Sequence, residues 1–142
     1  MIKFRAWNGY RKIMADYVSA IQNGDTQGTP SSVNVIVNRK NETWDIKNDD
    51  VELLQFTGLK DKQGVEIYNG DILHFGSVWC VGDEYDPREE EHIGAVEYRP
   101  DYASYVVNCN GKIFPLEQVI SFDGYSVEGN VHDNVEVTEN EL

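Results

Sequence analysis

A chain of 142 residues with 40% hydrophobic content, eight Tyr, five Phe and three Trp can bury a core, and this composition argues against disorder. Lys and Arg number 12 against 25 Asp and Glu, a net charge of −13, and the excess lies late: residues 1–71 hold nine basic and ten acidic side chains, residues 72–142 three and fifteen. A half that negative repels phosphate backbones and excludes direct nucleic-acid binding through it, and no apolar run is long enough to span a membrane.

In chain order, Lys3 and Arg5 interrupt the opening, so no signal peptide is read there and a cytoplasmic location is expected. Residues 1–14 read as a hairpin turned at Asn8-Gly9, which sets Phe4 opposite Ile13 and Arg5 opposite Lys12. Residues 16–22 fit a helical turn or two as well as a strand. Residues 23–32 are a loop by their Gly, Ser, Thr and Pro content. A strand follows at 33–37, rich in β-branched residues, then a turn at 39–42, a strand at 43–46 and a turn at 47–50. Residues 1–56 are expected to form a strand-rich N-terminal arm that packs on the rest, since few strands stand alone.

Residues 57–73 are the most punctuated stretch, with Gly58, Gly64 and Gly70 between short apolar runs and with carboxylates at Asp61, Glu66 and Asp71. Gln63-Gly64 and Asn69-Gly70 are turn dipeptides. The reading is a hairpin closed over residues 60–64, then a second tight turn after Tyr68 that launches a strand at Ile72, with Asp71 accepting amide protons from the turn before it. Asp61, Glu66 and Asp71 could serve acid–base chemistry if one were buried, but turn positions are usually wet and a turn-stabilising role is the expectation.

The run from Leu54 through Asp61, continued by Ile67-Tyr68-Asn69-Gly70-Asp71-Ile72, closely resembles the signature of the YopX family of phage and prophage proteins. The opening Met1-Ile2-Lys3-Phe4-Arg5-Ala6-Trp7-Asn8 and the segment Val127-Glu128-Gly129-Asn130-Val131 are similar to that family's two ends, with Glu128 where isoleucine is usual. The resemblance implies a small phage-encoded protein with a Src-homology-3-like β-barrel in its C-terminal part, and it implies no established activity or catalytic residue.

Within 57–142 the candidate barrel strands are 72–75, 78–81, 94–98, 102–108, 112–115 and 125–131, with turns at Ser77, at 99–101 and at Asn110-Gly111 and one helical turn over 116–119. Residues 82–92, GDEYDPREEEH, read as an acidic loop between strands. His92 beside Glu89, Glu90 and Glu91 is the best metal candidate among His74, His92 and His132, yet reads as a surface residue; no metal or cofactor is expected. Cys80 and Cys109 read as separate buried thiols.

No phosphate loop, Cys-x-x-Cys, His-Glu-x-x-His or Gly-x-Ser-x-Gly occurs, so no catalytic residue is assigned. The candidate partner-binding residues are Trp79, Tyr85, Glu89, Glu90, Glu91, Tyr98 and Tyr102, because exposed aromatics beside carboxylates suit peptide recognition. The expectation is therefore a mainly β, non-enzymatic protein that binds another protein or assembles with itself through the basic hairpin. The alternatives are an acidic DNA mimic and a carboxylate-based or metal-assisted hydrolase.

Overall fold

The computed structural model describes residues 3–24, 29–80, 87–120 and 125–132, with the backbone alone at 77–80 and 87–89. The chain is mainly β and divides into two units, Met1–Phe56 and Thr57–Leu142.

In the first unit, β1 (Phe4–Asn8) pairs with both β2 (Ile13–Met14) and the start of β6 (Val51–Lys60). The hairpin register differs from the sequence expectation. Trp7 faces Met14 and Asn8 faces Ile13, while Phe4 and Arg5 pair with Gln55 and Leu54 of β6. The reason is local chemistry. The Asn8 carboxamide oxygen accepts the amides of Tyr10 (3.1 Å) and Arg11 (2.8 Å), so the turn lengthens and Lys12, at φ 60°, closes it.

The second sheet of this unit has the order β3 (Tyr17–Asn23), β4 (Pro30–Val37), β5 (Lys40–Asp45). The ambiguous 16–22 segment is thus a strand. The β4–β5 turn is tighter than expected, with Asn38 and Arg39 both at positive φ, as type I′ turns require. Ala6, Ala15, Val33, Val35 and Trp44 form the buried core, with Ile13, Val18, Ile46 and Leu53 packed around it. Residues 1–56 therefore own a core. The Trp44 indole N–H donates to Glu42 (3.1 Å), which Arg11 also grips. These two hydrogen bonds, the indole's first, hold the Glu42 carboxyl below its ordinary range.

In the second unit, a five-stranded antiparallel sheet curls into a half-barrel with the order β11 (Lys112–Pro115), β10 (Ser104–Cys109), β9 (Pro87–Arg99), β8 (Asp71–Cys80), β12 (Ser126–Asn130). One helical turn, α1 (Leu116–Val119), connects β11 to the returning β12. The core holds Ile67, Leu73, Phe75, Val96, Val107, Leu116, Val119 and Tyr125. Two expectations fail here. Ser77 is no turn: β8 runs straight through it, pairing Ser77 with Glu90. The acidic segment is no simple loop either, because residues 87–92 are strand, registered from Cys80–Pro87 to Phe75–His92; residues 81–86 lie outside the described ones. Glu90 and His92 share one face and Glu91 takes the other, as a two-faced strand requires, which a count of carboxylates alone conceals.

Candidate protein-binding surface

The punctuated stretch builds a buried polar clasp inside the second unit. After β6 ends at Lys60, Asp61 turns the chain and its carboxylate accepts three amides: Gln63 (2.9 Å), Val65 (2.8 Å) and, from the far end of the sequence, Val127 (3.0 Å). The strand β7 (Glu66–Tyr68) follows, then the Asn69-Gly70 turn. Asp71 accepts the Tyr68 amide (2.7 Å) on one oxygen and the Asn130 carboxamide (3.0 Å) on the other. Gly70, at φ +85°, donates to the Val96 carbonyl and accepts from the Val131 amide. Tyr125 completes the closure, its hydroxyl donating to the Lys60 carbonyl (3.0 Å). Asp61 and Asp71 are buried rather than wet, but their oxygens are spent on N–H donors, which is chemistry of turn fixation. Gly58 and Gly64 also take positive φ.

Asn130 and Tyr125 are the members that sequence reasoning left without a role. A signal existed for Asn130: an amide residue after Gly129 in a short final strand is an unusual place for a polar side chain unless it is bonded.

Two ring clusters lie along the core-side row of β9, at opposite ends. At one end His92 packs between Phe75 (5.1 Å) and Phe114 (4.8 Å), its side chain only 9% exposed, with Glu90 3.6 Å from its Nε2 and Lys112 3.7 Å from the same carboxylate. His92 is thus a packed ring, correcting its reading as a surface histidine. Gly94 sits next along this row, where a Cβ would come within 2.5 Å of the Asn108 carbonyl and 2.7 Å of the Cys109 sulfur. Burial pushes the Cys109 thiol up to about 11, so it is a poor nucleophile. Among the described residues no three His, Cys, Asp or Glu side chains group closely enough to hold a metal ion.

At the other end Tyr98 packs at a tilt against Tyr105 (5.3 Å) across the β9–β10 pair, and Tyr102 stands in the connecting turn. Burial, then the neighbouring Tyr98, raises the Tyr105 hydroxyl above its ordinary value. Tyr98 and Tyr102 remain 47% and 67% exposed. Beside them Glu97 accepts from Arg99 (3.3 Å) and from Asn108 (3.2 Å) on the opposite sheet face. Of the candidate partner-binding residues, the structure brings Tyr98 and Tyr102 to one hairpin end and leaves Glu90 near His92, with Glu91 3.2 Å from the His74 ring. Tyr85 lies outside the described residues, as do the side chains of Trp79 and Glu89.

Comparison with known proteins gives two findings. A family model described as YopX protein matches residues 3–139. Among solved structures, the crystal structure of protein EF1440 from Enterococcus faecalis is similar, with a TM-score of 0.62 and 28% identity over 96% of this chain and 97% of that one. No curated protein matches.

Proposed function

The chain belongs to the YopX family, and on that premise we propose that it is a non-enzymatic protein-binding module acting in an infected bacterial host, with its second unit a Src-homology-3-like barrel. Four antiparallel strands, followed by a helical turn and a fifth strand that returns beside β8, support the barrel reading. The binding reading rests on one observation: Tyr98, on β9 and backed by the Tyr105 ring, and Tyr102, in the adjoining turn, are large, exposed aromatics at one hairpin end. Rigid aromatics of this kind supply contact area at low entropic cost. The partner is basic, because residues 57–142 carry five basic and eighteen acidic side chains, whereas residues 1–56 carry seven of each. The hydrolase alternative finds less support, since the two buried carboxylates of the clasp are engaged by amides.

The test is a comparison of baits. The wild-type chain and a Tyr98→Ala/Tyr102→Ala variant are each used to capture proteins from a bacterial lysate, and the strongest specific binder is purified and titrated. A basic protein held by the wild type and weakened at least about tenfold by the double variant is expected. Equal affinity for both baits places the binding surface elsewhere.

A further inference from the structure

We propose that strand β3 is a self-association edge, along which two copies of the chain pair antiparallel about Ile21. β3 is the outer strand of the β3–β4–β5 sheet, and among the described residues β4 is its only strand partner. An outer strand leaves a row of N–H and C=O groups open to another chain.

What distinguishes β3 is that it combines length with the absence of charge and proline, which no other outer strand does. β5 carries Lys40, Glu42 and Asp45; β11 carries Lys112 and ends on Pro115; β12 holds Glu128 and a bulge beside Gly129; β2 and β7 are two and three residues long. Charge, proline and shortness are the usual means of blunting an edge. β3, by contrast, is seven residues of sequence YVSAIQN with no charge. Its register against β4 shifts twice, between Val18 and Ala20, where the Ser19 hydroxyl donates to the Asn34 carbonyl, and between Gln22 and Asn23. Between these two shifts residues 20–22 form the regular stretch, with Ile21 at the centre.

Ile21 lies opposite Val33, a fully buried member of the first core, so it stands on the core side of the sheet. It is nevertheless 39% exposed, and Tyr17 on the other face is 50% exposed. The apolar row therefore runs from Val33 to the rim and stops there uncovered.

Charge selects a second copy as the occupant. At a net charge of −13 two copies repel, yet the whole excess lies in residues 57–142, while residues 1–56 are balanced and β3 is neutral. A contact made along β3 brings none of that excess charge together through the strand itself. A two-fold axis at Ile21 sets Ile21 against its own copy and residue 20 against residue 22, an isologous contact that closes without exposing a further edge.

The test uses the full chain in sedimentation velocity at about 100 µM, with Ile21→Lys and Ile21→Cys variants and Thr43→Cys on β5 as the control. A wild-type dimer is expected, with Ile21→Lys a monomer of unchanged circular dichroism. Under mild oxidation Ile21→Cys should cross-link as a dimer about tenfold more than Thr43→Cys, because paired strands bring the two Cα atoms within disulfide range. A monomeric wild type at that concentration overturns the proposal. So does a dimer that persists in Ile21→Lys, or cross-linking no better than the control. Should Ile21→Lys fail to fold, the cross-linking result decides.

Discussion

Gly70 combines two constraints at one atom position. Its φ of +85° disfavours any side chain, and a Cβ there would lie 3.1 Å from the Asn130 carboxamide nitrogen, tighter than an ordinary contact. Gly70→Val should therefore lower stability by about 1–3 kcal/mol, read as a fall in the denaturation midpoint. An unchanged midpoint would show that the turn relaxes freely. Asp61 is the more demanding position, since three amides depend on one carboxylate. Asp61→Ala should cost about 2–4 kcal/mol, because buried donors left without an acceptor keep their full desolvation penalty. Asp61→Asn should cost less, since it retains one acceptor oxygen. If the two variants melt together, the carboxylate is not bridging the chain's two segments.

At the scale of single elements, β5 ties a buried ring to a charge. Glu42 accepts from the Trp44 indole and from Arg11, and both depress its folded-state protonation. A group depressed in the folded state contributes stability above its unfolded value near 4.5, and that contribution is lost as pH falls through the lower folded value. The wild type should thus melt above Glu42→Gln at pH 7, and the gap should narrow progressively as the pH falls below about 4.5. A gap unchanged over that range would assign the effect to shape rather than charge.

The same scale shows what was legible in the sequence. Strands with β-branched runs, such as residues 33–37, and turns with glycine, such as Asn69-Gly70 and Asn110-Gly111, announce themselves through local chemistry. The Asp71-to-amide bond of the turn is likewise local. Residues 87–92 gave no such cue, because their carboxylates mimic a solvated loop and only pairing with β8 makes them a strand. Asn8-Gly9 misled for the opposite reason: the Asn8 side chain captured two amides and displaced the tighter turn. The rings around His92 depend on partners at positions 75 and 114, a distance over which sequence periodicity is silent.

Over the whole molecule, charge is partitioned by unit. Residues 1–56 are neutral and residues 57–142 carry the entire net −13. Duplex DNA should give no mobility shift even at low salt, since its capture needs cations to displace counterions. Salt-sensitive retardation would overturn that account. Added salt should instead raise the melting temperature, by screening repulsion among the acidic side chains of the second unit. This much followed from counting residues; the presence of a separate core in residues 1–56 did not, because Ala6, Ala15, Val35 and Trp44 are brought together only by the crossing of strands.

The clasp also sets an order of events in time. Asp61 waits for the amide of Val127, the Lys60 carbonyl for the hydroxyl of Tyr125, and Asp71 for the side chain of Asn130, separations of 66, 65 and 59 residues. During synthesis these acceptors leave the ribosome long before their donors exist. The β8 edge that β12 later covers is open for that whole interval, and loops this long close slowly. The nascent chain is thus exposed to wrong pairing until residues 125–130 emerge, and their arrival closes that interval.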